Sequence, residues 1–310
     1  MLLRKSRHTW ASISKKIILN ILITGASGFL GSALANRLGE MDHHVSLLVR
    51  NNTNLYRLRN ISLLNIGKCV TDLEISQFII DVRPDVVIHT ACCYGRNGES
   101  IIQMIDSNIR LGAVILEAIK GLDKKISFVN TGTVLSRDVS LYALTKIQFE
   151  ELGGYTANSP NINIQFINIK LQHMYGPGDD ASKFTTYVIN ACKNNVPTLP
   201  LTFGEQERDF IYIDDVVEAY IKILENLSKL NRQQQIELGS GIALRLRDFV
   251  EITHRLTNSS TKLLFGEIPY RENDEMCLVA SIDVLKNLGW IPKFDMESGI
   301  KKTIEMDVAR

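Results

Sequence analysis

The segment Thr24-Gly25-Ala26-Ser27-Gly28-Phe29-Leu30-Gly31 constrains this chain more than any other. It directly follows an apolar β-rich run at 17–24 and opens a helical pattern at 29–38. A strand that turns through glycines into a helix brings free backbone N–H groups and the positive end of the helix dipole to one point. The absence of Cβ atoms lets a phosphate approach the backbone closely. The expected fold is therefore α/β, a Rossmann-type doubly wound parallel sheet. The expected ligand is a dinucleotide, held by Gly25, Ser27, Gly28, Phe29, Leu30 and Gly31.

The rest of the chain sustains that rhythm. Strands are expected at 44–49, more weakly at 61–64, and at 85–91, 126–130 and 164–169. Between them lie helical patterns: one capped by Asp72 and reaching Val82 before Pro84, a long one at 101–119, and one at 141–152. Fully apolar strands alternating with helices require helices on both sheet faces. After Leu171 the pattern becomes shorter and more mixed. The expected division is a dinucleotide-binding domain at 17–170, rejoined by 210–238, and a smaller C-terminal substrate-binding lobe from 171–209 and 239–310. Residues 1–16 are basic and read as a disordered extension outside the fold.

Composition narrows the partners. Lys+Arg 35 against Asp+Glu 34 leaves no charge excess to call for nucleic acid or an anionic membrane, so any anion must be gripped locally. No apolar run reaches the length of a membrane span. The five cysteines form no paired metal spacing, and no metal site is expected. A cytoplasmic protein with reduced thiols is the expectation. The adjacent Cys92 and Cys93 are expected to pack at a strand end, with lining of the substrate pocket as the alternative, and His89 to be a satisfied core histidine.

The end of the second strand bears on the choice of dinucleotide. Leu48-Val49-Arg50-Asn51-Asn52 offers an arginine and no acid. Arg50 suits a ribose 2′-phosphate, so NADPH (NADP) is favoured and NAD is the alternative. Further on, Tyr142-Ala143-Leu144-Thr145-Lys146 puts a phenol and an ammonium four residues apart on one helix face. A fixed ammonium favours phenolate and makes tyrosine a workable acid–base group, and Lys146 can also bond the nicotinamide ribose. A third hydroxyl is expected at the end of the preceding strand: Thr131 first by position, Thr133 second.

Together these residues resemble the extended short-chain dehydrogenase/reductase superfamily, in its sugar-nucleotide epimerase/dehydratase branch. TGASGFLG, DVVIHTA, YALTK, YGPGD, RDFIYIDDVVEAY and YREND stand in that family's order. A closer likeness is to the CDP-paratose and CDP-abequose synthases, through Cys93-Tyr94-Gly95-Arg96, Ser140-Leu141-Tyr142, Lys183-Phe184, the segment from Gly204 to Phe210, and Phe265-Gly266. The resemblance implies Thr90 and Ala91 as cofactor contacts, and Lys183, Arg208 and Arg271 as substrate contacts. In it the two arginines grip a pyrophosphate. Asn108 matches a family asparagine with a structural role.

The implied activity is NADPH-dependent reduction of the C4 ketone of a nucleotide-activated 6-deoxy or 3,6-dideoxy hexose, in O-antigen and lipopolysaccharide biosynthesis. The implied assembly is a homodimer. Gly132-Thr133 stands where the 4,6-dehydratases carry an Asp-Glu pair, which argues against dehydration. An NAD-dependent 4-epimerase is the first alternative. A non-catalytic dinucleotide-binding regulator is the second, and it would be marked by loss of Tyr142 or Lys146.

Overall fold

Strands that are apolar on both sides can be satisfied only between two helical layers. The computed structural model describes residues 18–270 and 275–308 and has that arrangement. The first half runs β1 (Asn20–Thr24), α1 (Phe29–Gly39), β2 (His44–Val49), β3 (Asn65–Lys68), α2 (Asp72–Val82), β4 (Val86–His89), α3 (Ile101–Ile105), α4 (Leu111–Lys120), β5 (Ile126–Thr133), α5 (Leu141–Asn158) and β6 (Ile164–Leu171). Then follow β7 (His173–Tyr175), α6 (Phe184–Lys193), β8 (Thr198–Leu201), β9 (Glu207–Tyr212), α7 (Ile213–Glu225), β10 (Gln233–Leu238), β11 (Ala243–Arg245), α8 (Leu246–Leu256), β12 (Lys262–Phe265), β13 (Cys277–Leu278), α9 (Asp283–Asn287) and α10 (Met296–Val308).

Seven parallel strands form the main sheet in the order β10-β6-β5-β4-β1-β2-β3. Alternate residues feed two cores. Ile21, Ile23, Ile88, Val129 and Ile167 face α1 and α7, while Leu22, Val87, Phe128 and Phe166 face α2, α4 and α5. Strand order reverses between β1 and β4. That switch point opens a crevice at the carboxyl ends of the strands, where ligands bind in such sheets. The smaller sheet, built on β9 with β7, β11 and β13, lies beyond that edge in the chain's order, and β12 pairs with β8.

Several expectations are corrected. Residues 61–63 form a 3-10 turn, and the third strand is β3 at Asn65–Lys68. It pairs with β2 from Ser46↔Asn65 to Val49↔Lys68, with Ile66 half-buried and Gly67 buried. The cap of α2 is Thr71, not Asp72: its hydroxyl accepts from Glu74 N while Glu74 accepts from Thr71 N, a reciprocal capping box. The long helix at 101–119 is interrupted by a π turn at Asp106–Arg110.

Asp209 of β9 ties the C-terminal segments to the sheet. Buried completely, it accepts from Ser240 N and Oγ (both 2.6 Å), Gly241 N (2.9 Å) and Ala280 N (3.2 Å). Asp215 acts similarly for the stretch before α10, accepting from Lys293 N and Phe294 N. Buried carboxylates are tolerated when backbone amides satisfy them in this way. No helix among the described residues is long and apolar enough to cross a membrane.

Candidate active site

The glycine loop is built for close approach. Gly25 has φ +67, and a Cβ there would stand 2.6 Å from Ala91 N and 2.7 Å from Ala91 Cα. A Cβ on Gly31 would stand 2.3 Å from Gly25 O. Gly28 caps α1 and donates to Gly25 O at 2.9 Å, which leaves the first amides of α1 facing outward. Thr90 Oγ1 donates to Thr24 O at 2.7 Å and locks the end of β4 to the end of β1. Loop, helix start and the Thr90-Ala91 edge thus form one cradle at the switch point, and a dinucleotide pyrophosphate fits it.

Arg50 is exposed just past β2, and its carbonyl accepts from Thr53 N at 3.0 Å. Below the cradle, His89 is fully buried, with Nδ1 bonded to Thr24 Oγ1 at 2.7 Å and Nε2 without a partner. Burial first, then the nearby Lys146 ammonium, push its pKa down to about 3, so the ring is neutral. It is a core histidine only half satisfied.

Across the crevice, α5 presents Tyr142 and Lys146. Ser140 caps the helix by accepting from Ala143 N at 3.2 Å, so Tyr142 sits in the first turn. Asn108, buried completely in the π turn, accepts from Cys93 N at 2.7 Å. It donates to Cys93 O and to Thr145 Oγ1, each at 2.9 Å. One amide therefore couples the β4 loop to the helix bearing the Tyr-Lys pair, and the wide turn supplies its position.

Lys146 is 2% exposed, and no hydrogen bond to its ammonium is present among the described residues. Burial lowers its pKa, opposed by Cys92 and Glu150. A buried lysine at a crevice is the kind of group a bound ribose hydroxyl satisfies.

The two strand-end hydroxyls differ in their surroundings: Thr131 Oγ1 is bonded to Tyr220 OH of α7 at 2.7 Å, whereas Thr133 Oγ1 accepts from Leu135 N at 3.2 Å and lies near the Tyr142 phenol. Burial, then Cys92, hold the phenol above the ordinary tyrosine range; Arg96 and the hydroxyls of Thr133 and Tyr94 pull it back. Among cations, Arg96 exerts the largest such pull, a role that spacing alone had suggested for Lys146.

Cys92 and Cys93 are both half-buried past the end of β4, so neither is enclosed in the core. In the sequence, Tyr94 and Arg96 stand out only as part of the Cys93-Tyr94-Gly95-Arg96 stretch of the family resemblance. No spacing rule points to them, because their contacts depend on how the β4 loop folds back.

Lys183 caps α6 and reaches Asp179 at 3.0 Å, with its ammonium 5.6 Å from the Phe29 ring centre of the glycine loop. Arg208 is buried on β9 and donates to Glu207 O at 2.8 Å. Arg271 lies outside the described residues, as do residues 1–17. No cluster of metal-ligating side chains occurs among the described residues.

Known proteins share this chain's sequence and fold. The family model described as "NAD dependent epimerase/dehydratase family" matches residues 21–239. The chain is 34% identical over 303 residues to a CDP-abequose synthase of Salmonella typhimurium, covering 92% of this chain and 97% of that protein. Among solved structures, a UDP-glucose 4-epimerase from Thermotoga maritima with UDP-glucose superposes with TM-score 0.79 at 20% identity, covering 92% of this chain and 97% of the other. MoeE5 in complex with UDP-glucuronic acid and NAD gives TM-score 0.77 at 22% identity, covering 93% and 99%.

Proposed function

The chain belongs to the NAD dependent epimerase/dehydratase family, and from that premise we propose that it reduces the C4 ketone of a nucleotide-activated 6-deoxy or 3,6-dideoxy hexose. NADPH is the proposed hydride donor. The observation that carries this reading is the placement of Tyr142 one helical turn before the buried Lys146 on α5, near the Thr133 hydroxyl, on a chain 34% identical to a CDP-abequose synthase. Gly132 leaves no carboxylate directly before Thr133, which supports reduction over water elimination.

The bound dinucleotide supplies the hydride. The chain's own groups do the rest. The glycine cradle and the start of α1 hold the pyrophosphate, and Arg50 takes the 2′-phosphate. Thr133 orients the ketone oxygen beside Tyr142. Because burial keeps Tyr142 protonated, it is ready to give its proton to that oxygen as negative charge develops. Lys146 stabilises the phenolate left behind. Lys183, Arg208 and Arg271 are proposed contacts for the nucleotide part of the substrate.

The test offers purified protein CDP-, dTDP- and GDP-linked 4-keto sugars, with NADPH and then NADH, and follows nicotinamide absorbance. Stoichiometric NADPH loss with one of them is expected. The second reading is a 4-epimerase, which the same Tyr142–Lys146 pair serves equally well. No loss with any sugar, together with NAD that co-purifies, would transfer the assignment to it. Arg50→Ala is expected to weaken NADPH binding about tenfold, the worth of one charge-assisted hydrogen bond. NADH binding should stay within about twofold on the same grounds. Equal losses for the two dinucleotides would remove Arg50 from the phosphate site.

A further inference from the structure

The sheet face under α5 is apolar in one layer and polar in the next. Leu22, Val87, Phe128 and Phe166 stand in register on β1, β4, β5 and β6. Two residues on, the same face carries Thr24, His89, Asn130 and Asn168, again in register, with Gln235 of β10 beside Asn168. The first four are at most 1% exposed. A polar row buried this completely requires a partner for each of its atoms.

Part of the row is satisfied within the chain. Ala91 N donates to Thr24 Oγ1 at 3.4 Å, and Thr24 Oγ1 lies 2.7 Å from His89 Nδ1. Asn130 Nδ2 donates to Asn168 Oδ1 at 2.7 Å, and the Asn168 amide fills the space that a Cβ on Gly132 would need. Gln235 Nε2 donates to Glu150 of α5. His89 Nε2, Asn130 Oδ1 and Asn168 Nδ2 have no partner among the described residues.

Counting protons gives the row a direction. Thr24 Oγ1 already accepts from Ala91 N, so its own proton goes to His89 Nδ1, and the neutral ring carries its proton on Nε2. An orphan donor and an orphan acceptor, His89 Nε2 and Asn130 Oδ1, thus stand on paired residues of adjacent strands. Lys146 lies over them. It precedes Phe149 by three residues on one helix face, and the Phe149 ring packs on those of His89 (5.3 Å), Phe128 and Phe166. The ammonium, 2% exposed in this aromatic layer, is near enough to His89 to disfavour a charge there. Its other titratable neighbours are Cys92 and Glu150.

We infer that the polar row binds one internal water beneath Lys146, which accepts from His89 Nε2–H and from the ammonium and donates to Asn130 Oδ1. Three partners are the usual complement of a buried water. Its role is to keep Lys146 charged where aromatic rings surround it, which makes Asn130 and His89 positioning residues. This rests on the proposed role of Lys146 but not on the sugar, and it holds for a reductase and an epimerase alike.

The test needs no sugar. In protein carrying isotope-labelled histidine, His89→Gln identifies the His89 signals among the six histidines. Nitrogen NMR is expected to find a neutral ring protonated at Nε2, with magnetisation transfer from a slowly exchanging water. Asn130→Leu keeps the forked shape of the amide without its polar atoms, and Asn130→Asp keeps the acceptor. Oxygen relaxation dispersion of the solvent should count one long-lived water fewer in Asn130→Leu and no change in Asn130→Asp. The Lys146 ε-carbon shift, identified by its loss in Lys146→Arg, is followed against pH. Asn130→Leu should require about tenfold higher proton concentration to half-charge Lys146, the worth of one hydrogen bond to a charged group. Asn130→Asp should move that point the opposite way.

A His89 proton on Nδ1 overturns the inference, and so does an Nε2–H with no contact to water. An unchanged water count or an unmoved Lys146 titration in Asn130→Leu overturns it as well. Thermal unfolding checks that the variants are folded. Where Asn130→Leu does not fold, the His89 measurement in the unaltered chain decides the matter alone. A failed reductase assay leaves all of these outcomes readable.

Discussion

Tyr142→Phe is expected to lower turnover about 10²–10⁴-fold, the usual contribution of a positioned general acid. Dinucleotide affinity should stay within about twofold, because the glycine cradle lies across the crevice from α5 and only one hydroxyl is removed. The ring and its contact with the Tyr94 ring survive the change. The effect therefore falls on the chemical step and not on folding. Steady-state rates with the sugar found in the absorbance panel, alongside a dinucleotide titration, check both halves. Near-normal turnover with intact binding would exclude Tyr142 as the acid.

Gly25→Ala should abolish useful dinucleotide binding while damaging the fold. At φ +67 an L side chain is strained by about 1–2 kcal/mol. The added Cβ also meets backbone on three sides: Ala91 N at 2.6 Å, Ala91 Cα at 2.7 Å and Thr90 C at 2.8 Å. None of these is the tip of a flexible side chain, so β1 and β4 must separate at the switch point. An affinity loss of about a hundredfold corresponds to only about 3 kcal/mol, which strain and clash together supply. Gly98→Ala is the internal comparison. It has φ +79 but nothing within 4 Å of its Cβ, so it carries the strain without the clash. Calorimetric dinucleotide titrations of the two variants separate these causes. Equal, small losses would mean that the cradle is not where the pyrophosphate lies.

Much of the fold and part of the site were legible in the chain because they depend on local repetition. Apolar runs separated by helical patterns imply a parallel sheet between helices. The strand–glycine–helix junction implies a phosphate cradle. Tyr142 and Lys146 share a helix face through their spacing of four. These features need only neighbours in sequence, and the structure has the sheet, the junction and the helix in place.

The failures arose where partners are distant. Thr131 and Thr133 are equivalent by position on β5. What distinguishes them is Tyr220, 89 residues beyond Thr131, whose hydroxyl bonds Thr131 Oγ1 and not Thr133. The mostly apolar stretch Ile61-Ser62-Leu63-Leu64 reads as a weak third strand. The strand that forms is Asn65–Lys68, which aligns with β2 and puts Ile66 and Gly67 against the sheet neighbours.

Sequence by itself determined the fold class, the glycine loop and the sharing of one helix by Tyr142 and Lys146, since backbone period and side-chain type set them. Tertiary structure alone decided that β10 extends the main sheet beside β6, that Asn108 couples the β4 loop to α5, and that Tyr94 and Arg96 lie over Tyr142. Such contacts form only after the chain has collapsed. Their positions follow from packing and buried hydrogen bonds between distant segments, and no short-range pattern encodes these.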